Sequence, residues 1–239
     1  MNNNRFSIAT ITLARDKKEE DVLRLALTQL ANLNIQVFVC DGGSGPEFLQ
    51  FLQNIPQISV VPVQGKGVWQ QAKASVQAAY NSGTDFIFYT EPDKLDFFRH
   101  ALPGFLTGAS LAEGSGILLA SRTETAFATF PAFQQMTETT INYCCAEITG
   151  KSFDYTYGPF ILNRKLVPYL KLVQEDVGWG WRPFVFGIAA RLGYDIVNDS
   201  GNFTCPADQR ADSRAERIYR MRQLSQNLQG MVLSTSVVL

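Results

Sequence analysis

Over about the first ninety residues, short apolar runs alternate with helix-patterned segments, and few folds accommodate that order. "FSIATITLA" (6–14), "IQVFVCDGGSG" (35–45), "ISVVPV" (58–63) and "DFIFYT" (85–90) read as strands, the second running into a turn. Between them lie "KKEEDVLRLALTQLANL" (17–33), "PEFLQFLQNI" (46–55) and "GKGVWQQAKASVQAAYNSG" (65–83). The first of these helices has acids in its opening turn and Val22, Leu25, Leu30 and Leu33 near one stripe. The second opens on Pro46, and the third is bounded by glycines. Such an alternation implies βαβ units, and the near-continuous hydrophobicity of the strands implies a parallel sheet covered on both faces. Ligands bind such sheets at the carboxyl ends of the strands. Those ends carry Ala14-Arg15-Asp16, Asp41-Gly42-Gly43-Ser44 and Glu91-Pro92-Asp93, so three polar clusters converge on one edge.

The second half is less regular. "GILLASR" (116–122) is a strand ending in Arg122, and "FQQMTETTINYCCAEITG" (133–150) is a helix stopped by Gly150. "SFDYTYGPFILNRK" (152–165) holds a Gly-Pro turn and a short strand, while "EDVGWGWRPFVFGIAARLGYDIV" (175–197) joins an aromatic loop to a helix and a strand. A long amphipathic helix is expected from Pro206 onward. Its arginines 210, 214, 217, 220 and 222 alternate with acids, which suits a salt-bridged exposed surface. At 239 residues and 46% apolar, the chain can bury a full core in one α/β domain with a smaller lobe.

A net charge of −1 and a pI near 5.9 argue against nucleic acid as a partner. No apolar run approaches the ~18 residues of a membrane span. "MNNNRFSIATITLA" reads as a first strand after a polar lead-in, with no signal-peptide cleavage pattern. Cys40, Cys144, Cys145 and Cys205 have no metal-site spacing and are expected to be reduced, mostly buried thiols of a cytoplasmic protein. His100 is read as a helix-surface residue. Monomer and homodimer are both compatible with the sequence.

Several familiar chemistries are absent. No glycine follows the first strand, which removes a G-x-G-x-x-G dinucleotide site, and "QGKGVW" fails the P-loop pattern. There is no G-x-S-x-G elbow. Taken in order, "SIATITLARDKKEEDV", "VFVCDGGSG", "GKGVWQQAKASVQAA" and "DFIFYTEPDK" resemble the nucleotide-sugar-binding half of GT-A fold glycosyltransferases over roughly residues 6 to 96. "ASR", "DYTYGPFILNR" and "EDVGWGW" look like the acceptor half of the same enzymes. The likeness is nearest to the glucosyl- and mannosyl-(phospho)glycerate synthases and the polyprenyl-phosphate sugar transferases. It implies a Rossmann-like, mostly parallel sheet with helices on both faces, a smaller acceptor-side region and a C-terminal helix. One domain is expected, with donor half 5–98, acceptor half 99–206 and C-terminal helix 207–230.

The resemblance implies a nucleotide-diphosphate sugar donor, a small-molecule or lipid-linked hydroxyl acceptor, and Mg2+ or Mn2+. A cation stabilises the departing diphosphate, and hard cations need only one or two protein carboxylates beside phosphates. Asp93 is the expected ligand, with Glu91 helping through water or binding ribose; otherwise both are solvated turn residues. The motif departs from the usual D-x-D pattern, Glu standing for the first Asp. Asp41 would accept from base or ribose, with Gly42 and Gly43 allowing close approach, or else mark a plain turn. Lys66, with Gly67 at a helix start, can meet an anion; Ala14 and Arg15 face a pyrophosphate or solvent. On the acceptor side stand Arg122, Asp154, Tyr157, Gly158, Trp179 and Trp181, the tryptophans as sugar platforms or core aromatics. Glu175 and Asp176 are candidate general bases or surface acids. The alternatives are a nucleotidyltransferase of the same fold, disfavoured because strand one lacks that family's signature loop, and a non-catalytic sugar-nucleotide-binding protein.

Overall fold

A computed structural model describes residues 5–108, 111 and 114–239; apart from Arg5, the polar lead-in lies outside them. The strands are β1 (Phe6–Thr12), β2 (Val37–Asp41), β3 (Ile58–Val61), β4 (Phe86–Thr90), β5 (Ser115–Arg122), β6 (Phe160–Asn163) and β7 (Asp195–Gly201). The helices are α1 (Lys17–Ala31), α2 (Pro46–Gln53), α3 (Val68–Asn81), α4 (Leu95–His100), α5 (Leu102–Gly108), α6 (Glu124–Phe127), α7 (Ala132–Thr149), α8 (Trp181–Arg191) and α9 (Arg214–Ser236). Two compact units share the chain: Met1–Ser110 with Pro159–Val167, and Leu111–Gly158 with Pro168–Leu239.

In the first unit the strand order is β3-β2-β1-β4-β6. β1 pairs in parallel with β2 and β4, placing Thr12 opposite Asp41 and Thr10 opposite Thr90. The carboxyl ends of these three strands therefore lie along one edge. Because successive strands extend to one side of β1 and β4 lies on its other side, the connection reverses at β1, where open α/β sheets form their ligand crevice. All five residues of β4 are buried, as the unbroken apolar run requires. The expected parallel sheet has one departure. β6 runs antiparallel to β4, setting Tyr89 opposite Phe160 with ring centroids 5.6 Å apart.

Asp16 caps α1 through a hydrogen bond from the Glu19 N–H. The buried stripe of α1 is Leu23, Ala26, Leu27 and Leu30; the expected stripe is corrected at Leu25, which faces solvent. In the second unit β5 and β7 pair in parallel. α7 ends where Gly150 takes the left-handed conformation at φ 71°. α9 starts at Arg214, capped by Ser213, rather than at Pro206. Its first turns are exposed all round, not amphipathic, and Arg217 pairs with Asp212 at 3.6 Å. His100 is exposed; Cys40, Cys145 and Cys205 are buried. No helix among the described residues is long and apolar enough to cross a membrane.

Candidate functional site

At the tips of β1 and β2 the Asp41 carboxylate works as a clamp. Oδ1 accepts from the N–H groups of Gly43 (2.9 Å) and Ser44 (2.7 Å). Oδ2 accepts from the hydroxyls of Thr12 (2.8 Å) and Ser44 (2.6 Å). The Ala14 N–H donates to Ser44 Oγ at 2.8 Å, and the Gly42 N–H to the Thr12 carbonyl at 2.7 Å. A carboxylate has about four acceptor positions, so those of Asp41 are occupied in fixing this loop. Gly42 leaves room for its neighbours: a methyl there would push aside the side-chain amide of Gln71 on α3 and crowd the Thr12 carbonyl. Arg15 is held to Glu19, its backbone N–H at 2.9 Å and its guanidinium at 3.0 Å, with most of its side chain in solvent.

α3 is preceded by Gly67 at its N-cap, whose φ of 100° an L side chain rarely adopts. No side chain caps this end, and Lys66 beside it is exposed. The first N–H groups of a 14-residue helix and an ammonium thus stand together, an arrangement that suits an anion. At the tip of β4, Pro92 is buried and turns the chain. Glu91 is half-buried, and the half-exposed Asp93 carboxylate meets Lys94 Nζ at 2.8 Å. No group of three or more His, Cys, Asp or Glu suited to a metal occurs among the described residues. The oxygen donors of Glu91 and Asp93 fit part of a hard cation's shell, which phosphates would have to complete. A cation at Asp93 would displace the Lys94 contact.

The second unit carries a buried ionic node that the sequence reading saw only in part. The Arg122 side chain is 1% exposed and binds Asp154 through Nε at 2.7 Å and Nη2 at 3.0 Å. Nη2 also meets Glu138 at 2.7 Å and Thr156 at 2.8 Å. The guanidinium lies over Phe127 and Phe130 at 4.6 and 4.5 Å. Burial alone would raise the Asp154 carboxyl, but hydrogen bonds and charge from Arg122, with Thr156, hold it down at about 2. Burial likewise opposes the charge on Arg122, and Glu138 and Asp154 overcome it, keeping the guanidinium above its ordinary range. Glu138, Gln134 and Asn142 are the residues that went unrecognised. Their four-residue spacing puts three polar groups on one face of α7, and that stripe was the available signal.

The remaining expected residues are dispersed through the second unit. Tyr157 stacks on Phe203, centroids 4.8 Å apart at 12°, and Gly158 is buried. Trp179 is half-buried, its indole N–H donating to the Tyr219 hydroxyl at 3.1 Å, whereas Trp181 is wholly buried in the core. Glu175 and Asp176 are exposed, and Asp176 accepts from the Gly178 N–H at 2.9 Å.

No family model and no curated protein matches the sequence. Solved structures do match. Glucosyl-3-phosphoglycerate synthase from Mycobacterium tuberculosis, in complex with Mn2+, UDP-glucose and phosphoglyceric acid, superposes with a TM-score of 0.64 at 14% identity, over 97% of this chain and 80% of that one. Mannosyl-3-phosphoglycerate synthase from Rubrobacter xylanophilus gives a TM-score of 0.64 at 12% identity, over 95% and 72%. The chain has the GT-A fold. At such identities the likeness is one of backbone, and the chemistry rests on this chain's own residues.

Proposed function

We propose that the protein transfers a sugar from a nucleotide-diphosphate donor to a hydroxyl acceptor with the help of a divalent cation. The observation that carries this reading is the convergence of three polar strand tips on one edge of the first unit, at the reversal of strand order. The fold it shares with a synthase solved with UDP-glucose, Mn2+ and phosphoglyceric acid supports the donor and acceptor classes. Residues 5–98 supply the donor half, and 99–206 the acceptor half.

In this reading Asp93, with Glu91, holds Mg2+ or Mn2+. When bound, the cation neutralises charge developing on the leaving diphosphate. Lys66 and the α3 amino end add positive potential beside the diphosphate, and Ala14 and Arg15 border the nucleotide. Asp41 shapes the loop, through Gly42, Gly43 and Ser44, against which base or ribose lies. On the acceptor side, Glu175 or Asp176 takes the proton of the attacking hydroxyl if the anomeric centre inverts. Arg122 and Asp154 hold the loop bearing Tyr157 and Gly158, and Trp179 offers an aromatic face. The acceptor is a small-molecule or lipid-linked alcohol.

Thermal-shift titration with UDP-, GDP- and ADP-sugars, with and without Mn2+, tests the reading. One donor family should raise the melting temperature, more so with Mn2+, and that donor should be hydrolysed slowly without acceptor. Silence toward all three families would end it; a shift with no hydrolysis would leave a binding protein instead.

A further inference from the structure

The acceptors of Asp41 are satisfied within the loop, so another group must read whatever lies against it. Gln71 is placed to do so. It sits one turn into α3, 8% exposed, among the buried Trp69, Ala72, Ser75 and Val76 of the same helix. Its stem is thereby fixed, and its amide ends against Gly42 at the tip of β2, beside the Thr12 carbonyl of β1. Among the described residues that amide makes no hydrogen bond, although neither polar atom is fully sealed from solvent. Held on a largely buried side chain with its polar atoms still open to solvent, the amide can exchange water for the donor and acceptor of a ligand.

The chemistry of the amide narrows the ligand. A primary amide offers a donor and an acceptor side by side in one plane and carries no charge. A phosphate calls for cations and N–H donors, which Lys66 and the α3 amino end provide nearby. The edge of a nucleobase presents a donor next to an acceptor, the complement of a carboxamide. Gly42 leaves flat backbone beneath the amide, where any larger residue would displace it.

We infer that the Gln71 amide reads the hydrogen-bonding edge of the base of a nucleoside diphosphate, and so sets which nucleotide the protein accepts. The inference rests on the donor reading above. Its test is calorimetric titration of the full-length protein with UDP, GDP, ADP and inorganic pyrophosphate, for wild type, Gln71→Leu and Gln71→Glu. Gln71→Leu keeps the side-chain volume and should weaken the preferred nucleotide roughly tenfold or more, leaving pyrophosphate unchanged. Gln71→Glu, an acceptor only, should change the order of preference among the three nucleotides. Should Gln71→Leu melt well below wild type, that order in Gln71→Glu decides. Wild-type affinity and wild-type order in both variants would overturn the inference alone, as would equal losses for nucleotide and pyrophosphate. A wild-type protein that binds none of the three nucleotides would overturn the donor reading and this inference together.

Discussion

Replacing Asp41 by alanine would leave two backbone N–H groups and two hydroxyls without their acceptor. Hydrogen bonds to a charged group are worth about 1.5–3 kcal/mol, so Asp41→Ala should lower the unfolding free energy by about 2–3 kcal/mol, read by urea titration. A loss under about 0.5 kcal/mol would show that the clamp does not hold the loop. The task proposed for Asp93 is different. Asp93→Asn should fold normally and lose the Mn2+-dependent part of nucleotide binding; unchanged metal dependence would remove Asp93 from the site. The sequence showed both carboxylates because each ends an apolar run. That Asp41 serves its own loop was one of the two readings open to it, and Ser44 lies within that turn; what the sequence could not show is the Thr12 hydroxyl, which becomes a partner only once β1 and β2 pair. Gln71 was invisible for a similar reason: a glutamine on a helix reads as surface until the fold buries it.

Helix α9 meets the turn before α8 through two glycines, and this crossing belongs to the scale of elements. A methyl on Gly230 would strike the Gly180 carbonyl, and one on Gly180 would strike the backbone of Gln226. Alanine at 230 gains about 1 kcal/mol of helix propensity, yet backbone cannot give way as a flexible side chain can. Gly230→Ala should therefore cost a net ~2 kcal/mol and lower Tm by roughly 4–8 °C in a melting curve. A rise in Tm would mean that the two segments separate freely. β1, β2 and β4 were legible because covered strands carry unbroken apolar runs, and β3, at the sheet edge and mostly half-exposed, through its β-branched residues. α5 was not, as Pro103 and Gly104 stand inside it, nor was the 3-10 stretch Arg164–Leu172 around Pro168. The direction of β6 was equally hidden, for an apolar run names a strand but not its partner.

For the molecule as a whole, the buried node around Arg122 ties part of the stability to acid conditions. The folded Asp154 carboxyl titrates at about 2, below its ordinary value of 3.8. Its contribution is thus present above about 3.8 and disappears as pH falls toward about 2. That shift corresponds to stability on the order of 2 kcal/mol. The gap in unfolding free energy between wild type and Asp154→Asn should be widest near neutral pH and close over that acid range. A gap constant from pH 7 to pH 2 would contradict it.

The chain leaves its first unit, returns for residues 159–167 and departs again, and this has a consequence for how the protein is made. While residues up to 110 emerge from a ribosome, β4 is an apolar ribbon whose hydrogen-bonding rim awaits a segment about seventy residues downstream. A gene fragment encoding 1–110 should accordingly yield aggregates, and one that also encodes 159–167 through a short linker should yield far more dispersed product in a sedimentation assay. Exchange of this unit between homologous genes would then demand two cuts rather than one.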